Sequence, residues 1–265
     1  MRILNDQFEV EGLLREVRAA RNRVLFLDYD GTLAPFILDR SEAKPYPGVV
    51  PLLRELGTLA HHRLILVSGR PALELARLLP LDPPPKIWGS NGMEELEPDG
   101  RVRMRAVPAE AQRVIDTEAL RLEAALGPER VERKPVSVAV HVRGLSGPAA
   151  AEITDAVRGH WRDLVLRHPL TVFEFDGGLE LSAGMRRKGD VVAGVVADLE
   201  APFAAAFLGD DQTDEDAFRA MKGRGAAILV RTSLRPTIAD LWLQPPAELL
   251  GFLARWRDAA AEAGA

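Results

Sequence analysis

Short unbroken apolar runs alternate along the chain with longer stretches in which apolar residues recur at helical spacing. Val24–Leu27, Arg63–Val67, Phe203–Leu208 and Ala226–Val230 have the length and composition of buried strands, and Lys86–Gly89 reads as a further one. Between them, Val10, Leu13, Leu14 and Val17 mark a helix over Phe8–Ala20. Helices are also predicted around Val49–Ala60 and from Pro71 to Leu79, with Pro71 suited to a first turn. A Pro-containing loop, Ala34–Pro47, follows the first strand. Alternation of this kind implies a parallel sheet with helices on both faces.

The pattern changes after Gly92. Met93–Leu96, an Asp99-Gly100 turn and Val102–Met104 form a hairpin signature. A helix over Ala109–Leu126 ends at Gly127-Pro128, and Val136–Arg143 reads as a strand. Pro148–His160 is helical, Leu164–Leu166 and Thr171–Phe175 read as strands, and Asp176-Gly177-Gly178 turns into Leu179–Leu181. The layout is helix–strand–strand twice over, which suggests a small α/β lid. Helices return at Lys188–Leu199, Thr213–Met221 and Ala247–Arg257. The expected fold is therefore α/β: a Rossmann-like parallel-sheet core with an inserted smaller α/β cap domain. Its first core part is expected at 1–105, the cap at 106–181, and the second core part at 182–265.

Composition narrows the field. A chain of 265 residues with 47% hydrophobic and 28% charged residues can bury a full core. A net charge of −5 argues against a general nucleic-acid or anionic-membrane binder, though not against a local basic pocket. Cysteine is absent, which removes disulfides and thiol chemistry. Met1–Val17 mixes acids and bases without an apolar centre, unlike a signal peptide. No apolar run approaches the ~18 residues of a membrane helix. The expectation is a soluble, cytoplasmic protein.

Candidate chemistry gathers where apolar runs stop. Val24–Leu27 ends in Asp28-Tyr29-Asp30-Gly31-Thr32-Leu33. Ligands of open parallel sheets sit beyond the carboxyl ends of strands, and a strand residue and its second neighbour point the same way. Two carboxylates held that close call for a cation, and Mg²⁺ is a natural hard one. The plainer alternative is an Asp-Gly turn. Leu64–Val67 ends in Ser68-Gly69-Arg70, either a phosphate-oxygen site or a simple helix N-cap at Ser68. Lys188 opens a helix, where the dipole disfavours a cation by roughly 0.3–1 kcal/mol. It is either a partner for an anion or a solvated charge beside Arg186 and Arg187. Asp210, Asp211, Asp214, Glu215 and Asp216 place five acids within seven residues from a buried strand end. Asp210 is the best metal candidate among them, and Thr213 a plausible N-cap with Asp216 completing a capping box.

The hexad Asp28–Leu33 resembles the signature of haloacid dehalogenase-like phosphohydrolases, and Ser68, Lys188 and Asp210/Asp214 follow in that family's order. The resemblance implies that Asp28 is the nucleophile and Asp30 the acid/base, with an aspartyl-phosphate between two half-reactions. It implies Mg²⁺ held by Asp28, the Asp30 main-chain carbonyl and Asp210, with Asp214 nearby. Thr32, Ser68, Gly69 and Lys188 would bind phosphoryl oxygens. Leu208–Phe218, Gly89–Glu94, Val138–Arg143 and Leu179–Leu181 are similar to segments of trehalose-6-phosphate phosphatases. That resemblance implies a cap closing over a disaccharide, with Glu94, Lys134, His141 and Glu180 as candidate sugar contacts. It also implies functional coupling to a trehalose-6-phosphate synthase. His141 could equally face solvent, and Glu94 could equally pair with a hairpin arginine.

The chain departs from the family at Leu181–Arg187, where a basic-Pro element is common, and at Asn91, often His. These positions leave open a phosphatase for sucrose 6-phosphate or a glycosyl-3-phosphoglycerate. A non-catalytic phosphatase-like binding module is the alternative of another class, although no acid and no lysine of the pattern is missing.

Overall fold

The computed structural model describes residues 1–37 and 40–262, so residues 38–39 of the expected loop and 263–265 of the last segment lie outside the described chain. Two compact units are present, Met1–Arg103 with Arg187–Ala265, and Met104–Arg186. The smaller unit thus begins two residues before and ends five after the expected 106–181; its last strand runs to Ser182, and Ala183 still packs into its core.

In chain order the elements begin with β1 (Arg2–Ile3), α1 (Val10–Ala19), β2 (Asn22–Leu27), α2 (Val49–Thr58), β3 (His62–Val67) and α3 (Ala72–Leu78). β4 (Lys86–Gly89), β5 (Glu94–Leu96) and β6 (Val102–Met104) follow. The smaller unit holds α4 (Ala109–Leu126), β7 (Val131–Lys134), β8 (Ser137–His141), α5 (Gly147–Arg167), β9 (Thr171–Phe175) and β10 (Gly178–Ser182). The chain closes with α6 (Lys188–Ala197), β11 (Phe203–Gly209), α7 (Glu215–Met221), β12 (Ala226–Val230), β13 (Leu241–Leu243) and α8 (Ala247–Glu262).

The large sheet runs β1-β13-β12-β11-β2-β3-β4-β5-β6. β13, β12, β11, β2, β3 and β4 are parallel, while β1 and β5 pair antiparallel at either side. Strand alternation sends Leu25, Leu27, Leu64, Leu66, Ala206 and Leu208 to one face, packed with α1, α2, α3 and α8. Val24, Phe26, Ile65, Val67, Phe207 and Leu229 go to the other, under α6 and α7. Both faces are covered, which is why these strands read as continuous apolar runs rather than as alternation. Each fully buried Leu or Phe contributes roughly 1.5–3 kcal/mol. The central pairing β11–β2–β3 therefore fixes where Asp28, Ser68 and Asp210 leave the sheet.

The smaller unit is an antiparallel sheet, β7-β8-β10-β9, with α4 and α5 packed through Val138, Val140, Leu179, Leu181 and Trp161. One expectation fails here, and one strand has no counterpart in the sequence reading. Leu164–Leu166 is not a strand but the last turn of α5, since no breaker interrupts the helix between Trp161 and Pro169. β7 was not expected, because only Val131 in Val131-Glu-Arg-Lys134 is apolar. In the larger unit, two short strands, β1 and β13, were also missed.

Candidate active site

β2 delivers Asp28 directly, and the Asp28 N–H still donates to the Leu208 carbonyl of β11 at 2.9 Å. The chain then folds tightly: the N–H groups of Thr32, Leu33 and Ala34 all donate to the Tyr29 carbonyl, at 3.2, 2.9 and 3.0 Å. Gly31 sits at φ +77°, and a Cβ on it would lie 2.0 Å from Asp210 Oδ2. Only glycine allows that conformation and that approach together. The turn after β2 is thereby pressed against the first acid after β11.

Lys188, the first residue of α6, extends between two carboxylates. Its Nζ donates to Asp214 Oδ1 at 2.7 Å and lies 3.0 Å from Asp28 Oδ2. Asp214 turns its other oxygen, Oδ2, to the N–H groups of Asp210 and Asp211, at 2.9 and 3.0 Å. Asp28, Asp210 and Asp214 each offer an oxygen within 4.8 Å of the others. All three, and Lys188, are buried. Lys188 is no solvated surface charge.

Burial pushes the Asp28 carboxyl up to about 7; Lys188 opposes the rise, and Asp214 and Asp30 add to it. Asp210 is raised well above the carboxylate range by burial and by Asp28, Asp214 and Asp211, with Lys188 again opposing. Burial works against the charge on Lys188, but Asp214 and Asp28 outweigh it and raise its pKa. One lysine among three buried acids leaves negative charge in excess, and buried like charges are costly without a cation. The donors are hard carboxylate oxygens, which suit a divalent cation of the Mg²⁺ kind. Both Asp214 oxygens are engaged, by Lys188 and by the Asp210 and Asp211 N–H groups, which leaves Asp28 and Asp210 as the better holders.

Asp30 faces another partner. Both its oxygens accept from Arg70, Nε to Oδ2 at 2.6 Å and Nη2 to Oδ1 at 2.7 Å. Arg70 also pairs with Glu74 and stands 5.7 Å from the Tyr29 ring centre. Sequence reasoning gave Arg70 no role, and no local signal joins it to an acid forty positions earlier.

Ser68 is buried at the end of β3, and its Oγ accepts from the Arg70 N–H at 3.3 Å. It is not the N-cap of α3; that position is Pro71, and Glu94 Oε2 takes the Ala72 N–H at 3.1 Å. The facing loop is tightly wound. Ser90 and Asn91 both have positive φ, 48° and 56°, which for non-glycine residues stores of order 1–3 kcal/mol each. The Asn91 N–H donates to the Ser68 carbonyl at 2.9 Å. Thr32 Oγ1 is buried with no hydrogen-bond partner among the described residues. It is a buried hydroxyl left over in the turn after β2.

The expected sugar contacts separate into two sets. Glu94 belongs to the larger unit, and its oxygens are committed to Ser90 Oγ and to Ala72 N–H rather than to a hairpin arginine. In the smaller unit, Lys134 Nζ donates to Glu180 Oε2 and Ser137 Oγ to Glu180 Oε1, both at 2.6 Å. His141 Nε2 lies 2.9 Å from Glu132 Oε2, and its ring lies 5.4 Å from that of Phe175. Strand register places Glu132, Lys134, Ser137, Glu180 and His141 on the sheet face opposite α4 and α5. Sequence reasoning missed Glu132, because β7 itself was missed.

The capping box expected at Thr213 and Asp216 lies two residues earlier. Asp211 caps a 3₁₀ turn, Gln212–Asp214, and Asp214 reciprocates to the Asp211 N–H. α7 begins only after that turn.

A family model described as trehalose-phosphatase matches residues 26–244. The chain is 32% identical over 241 residues to the trehalose-phosphate phosphatase of Mycobacterium marinum, covering 87% of this chain and 60% of that protein. To its counterpart in Mycobacterium tuberculosis H37Rv it is 33% identical over 249 residues, covering 89% of this chain and 61% of that one. The chain thus spans about three-fifths of the length of these curated relatives. Among solved structures, the C-terminal domain of the Candida albicans trehalose-6-phosphate phosphatase has a TM-score of 0.83 at 19% identity, over 97% of this chain and 99% of that one. That likeness is one of fold. A trehalose-6-phosphate phosphatase related protein has a TM-score of 0.71 at 25% identity, over 89% of this chain and 97% of that one.

Proposed function

The chain belongs to the trehalose-phosphatase family, and from that premise we propose that it is a Mg²⁺-dependent phosphatase that hydrolyses trehalose 6-phosphate to trehalose and phosphate. The observation that carries the reading is the buried group Asp28, Lys188, Asp210 and Asp214 at the carboxyl ends of β2 and β11.

In this reading Asp28 attacks phosphorus, the bond to the sugar oxygen breaks, and Asp30, which enters the step in its protonated form rather than as the carboxylate paired with Arg70, gives that oxygen its proton. The carboxyl–phosphate bond on Asp28 is then cleaved by water, whose proton returns to Asp30, so the enzyme ends as it began. Lys188 offsets charge on the incoming phosphoryl oxygens and on Asp28. Ser68 Oγ, the Gly69 N–H and the unpaired Thr32 Oγ1 donate to the same oxygens. Asp28, Asp210 and the Asp30 carbonyl are the proposed holders of Mg²⁺, and Asp214 orients Lys188 and the Asp210 loop. When bound, the cation supplies charge stabilisation to the transferring group. Phosphoryl transfer depends mostly on positioning and charge, so so small a set suffices.

Lys134, His141 and Glu180, with Glu132, are the proposed contacts to sugar hydroxyls. Glu94 serves instead to hold Ser90 and the start of α3. The smaller unit, Met104–Arg186, acts as the cap, a synthase supplying the sugar phosphate is the functional partner, and the cytoplasm is the compartment. Among the described residues no helix is long and apolar enough to cross a membrane.

Phosphate release with Mg²⁺ and with a chelator tests the proposal, across trehalose 6-phosphate, sucrose 6-phosphate, glucose 6-phosphate and glucosyl-3-phosphoglycerate. Mg²⁺-dependent preference for trehalose 6-phosphate is expected. Preference for another of these substrates would overturn the specificity and point to Leu181–Arg187. No turnover by folded protein would overturn the enzyme reading.

A further inference from the structure

The acidic loop after β11 is gripped by an arginine that lies outside every motif of the site. Gly209 ends β11, so the Asp210 and Asp211 carbonyls project where the strand ladder has stopped. Carbonyls leaving a buried strand need donors. Arg235, in the connection between β12 and β13, provides them: Nε donates to the Asp210 carbonyl at 3.0 Å and Nη2 to the Asp211 carbonyl at 2.6 Å.

The same guanidinium is itself fixed. Its Nη1 pairs with Glu215 and donates to the Pro236 carbonyl at 2.8 Å. Glu215 Oε2 in turn accepts the Ile238 N–H at 3.1 Å. Arg231 reaches the Asp210 carbonyl too, at 3.4 Å. The Arg235 side chain is only 14% exposed.

Arg235 holds the Asp210 carbonyl on one side of the Asp210 Cα while Asp214 Oδ2 holds its N–H on the other at 2.9 Å, so both flanking peptide planes are pinned, and with them the direction of the Asp210 side chain. We propose that Arg235 is a positioning residue that sets the Asp210 carboxylate in place for a divalent cation before the cation arrives. The inference rests on the proposed cation site at Asp28 and Asp210, but not on the identity of the sugar.

Two variants and one wild-type measurement test it. Arg235→Lys keeps the charge but cannot span two carbonyls, since an ammonium is a point donor. Arg235→Gln removes the charge. Mn²⁺ binding to the substrate-free protein, read by electron paramagnetic resonance, gives the affinity without reference to turnover. Positioning predicts that both variants bind Mn²⁺ about tenfold more weakly, in the range found for groups that orient metal ligands. KM for trehalose 6-phosphate at saturating Mg²⁺ should be unchanged.

A merely electrostatic role predicts the opposite sign for Arg235→Gln, because removing a nearby positive charge should tighten cation binding. Unchanged or tighter Mn²⁺ binding in folded variants overturns the proposal. In the metal-free wild type, the Asp210 and Asp211 amides should already resist hydrogen exchange. If they exchange freely until Mn²⁺ is added, the loop is not set in advance and the proposal falls, whatever the variants do. A wild type that binds Mn²⁺ but turns over no sugar phosphate defeats the functional reading and leaves the Arg235 result standing.

Discussion

Arg70 meets Asp30 with two parallel bonds, 2.6 and 2.7 Å long, and its own side chain is completely buried. Bidentate pairing of this kind fixes the plane of a carboxylate as well as neutralising it. The proposed acid/base of the reaction is therefore held by a residue from the end of a different strand. Arg70→Lys should keep the charge and lose the fork. Because Asp30 is 24% exposed, the cost falls below that of a fully buried broken pair, at roughly 2–3 kcal/mol. Urea unfolding should show that loss, with kcat falling and KM nearly constant. Unchanged stability would mean that solvent replaces the fork without cost.

His62 carries a pH dependence unrelated to the chemistry. It is buried at the start of β3, and Trp256 Nε1 donates to its Nε2 at 2.8 Å. Burial, helped by Arg23, lowers its pKa from 6.5 to about 4. The unfolded chain thus binds a proton in a range where the folded protein does not. The stability from neutral His62 is complete above pH 6.5 and is lost as pH falls through 6.5 towards about 4. The loss should reach about 3 kcal/mol at the acid end. Melting temperature measured from pH 7 to pH 4 should fall less steeply in His62→Gln than in the wild type. Parallel slopes would show that His62 does not set this dependence.

Gly31→Ala places a methyl group 2.0 Å from Asp210 Oδ2 at a backbone φ of +77°. The left-handed conformation alone costs roughly 1–2 kcal/mol for a non-glycine residue. Asp210 must also move. Mn²⁺ affinity and turnover should both collapse, while the melting temperature drops only by several degrees. Wild-type cation affinity in this variant would separate Asp210 from the proposed site.

Lys134→Ala removes one of the two partners of Glu180, the other being Ser137, and changes no residue of the Asp28 group. If these residues hold sugar hydroxyls, loss of binding common to ground and transition states should raise KM about tenfold with kcat nearly kept. Steady-state kinetics on trehalose 6-phosphate give the split. A fall in kcat at constant KM would contradict the assignment.

Much of this arrangement is legible in the sequence because it lies where apolar runs end in acids. Val24–Leu27 before Asp28, and Phe203–Leu208 before Asp210, carry their own signal, since a strand buried on both faces cannot hold charge until it leaves the sheet. β7 is not legible for a related reason: its polar face carries Glu132 and Lys134, so the apolar half of its alternation is one residue long. Leu164–Leu166 misleads in the other direction, as an apolar run on the largely exposed last turn of a helix. β1 and β13, of two and three residues, are too short for periodicity to show. Arg70 and Arg235 are beyond spacing altogether. Their partners, Asp30 and Asp210, are set by which strands lie side by side, and only the folded sheet brings them together.

The central claim is that Asp28 accepts the phosphoryl group. Its most direct test is rapid acid quench of the enzyme turning over trehalose 6-phosphate with Mg²⁺, followed by mass spectrometry of the peptide containing Asp28. A transient gain of one phosphoryl mass on Asp28 is predicted, absent without Mg²⁺ and absent in Asp28→Asn, which should fold normally and release no phosphate. Turnover by Asp28→Asn at a near-normal rate, or a phosphoryl group found on any other residue, would contradict it.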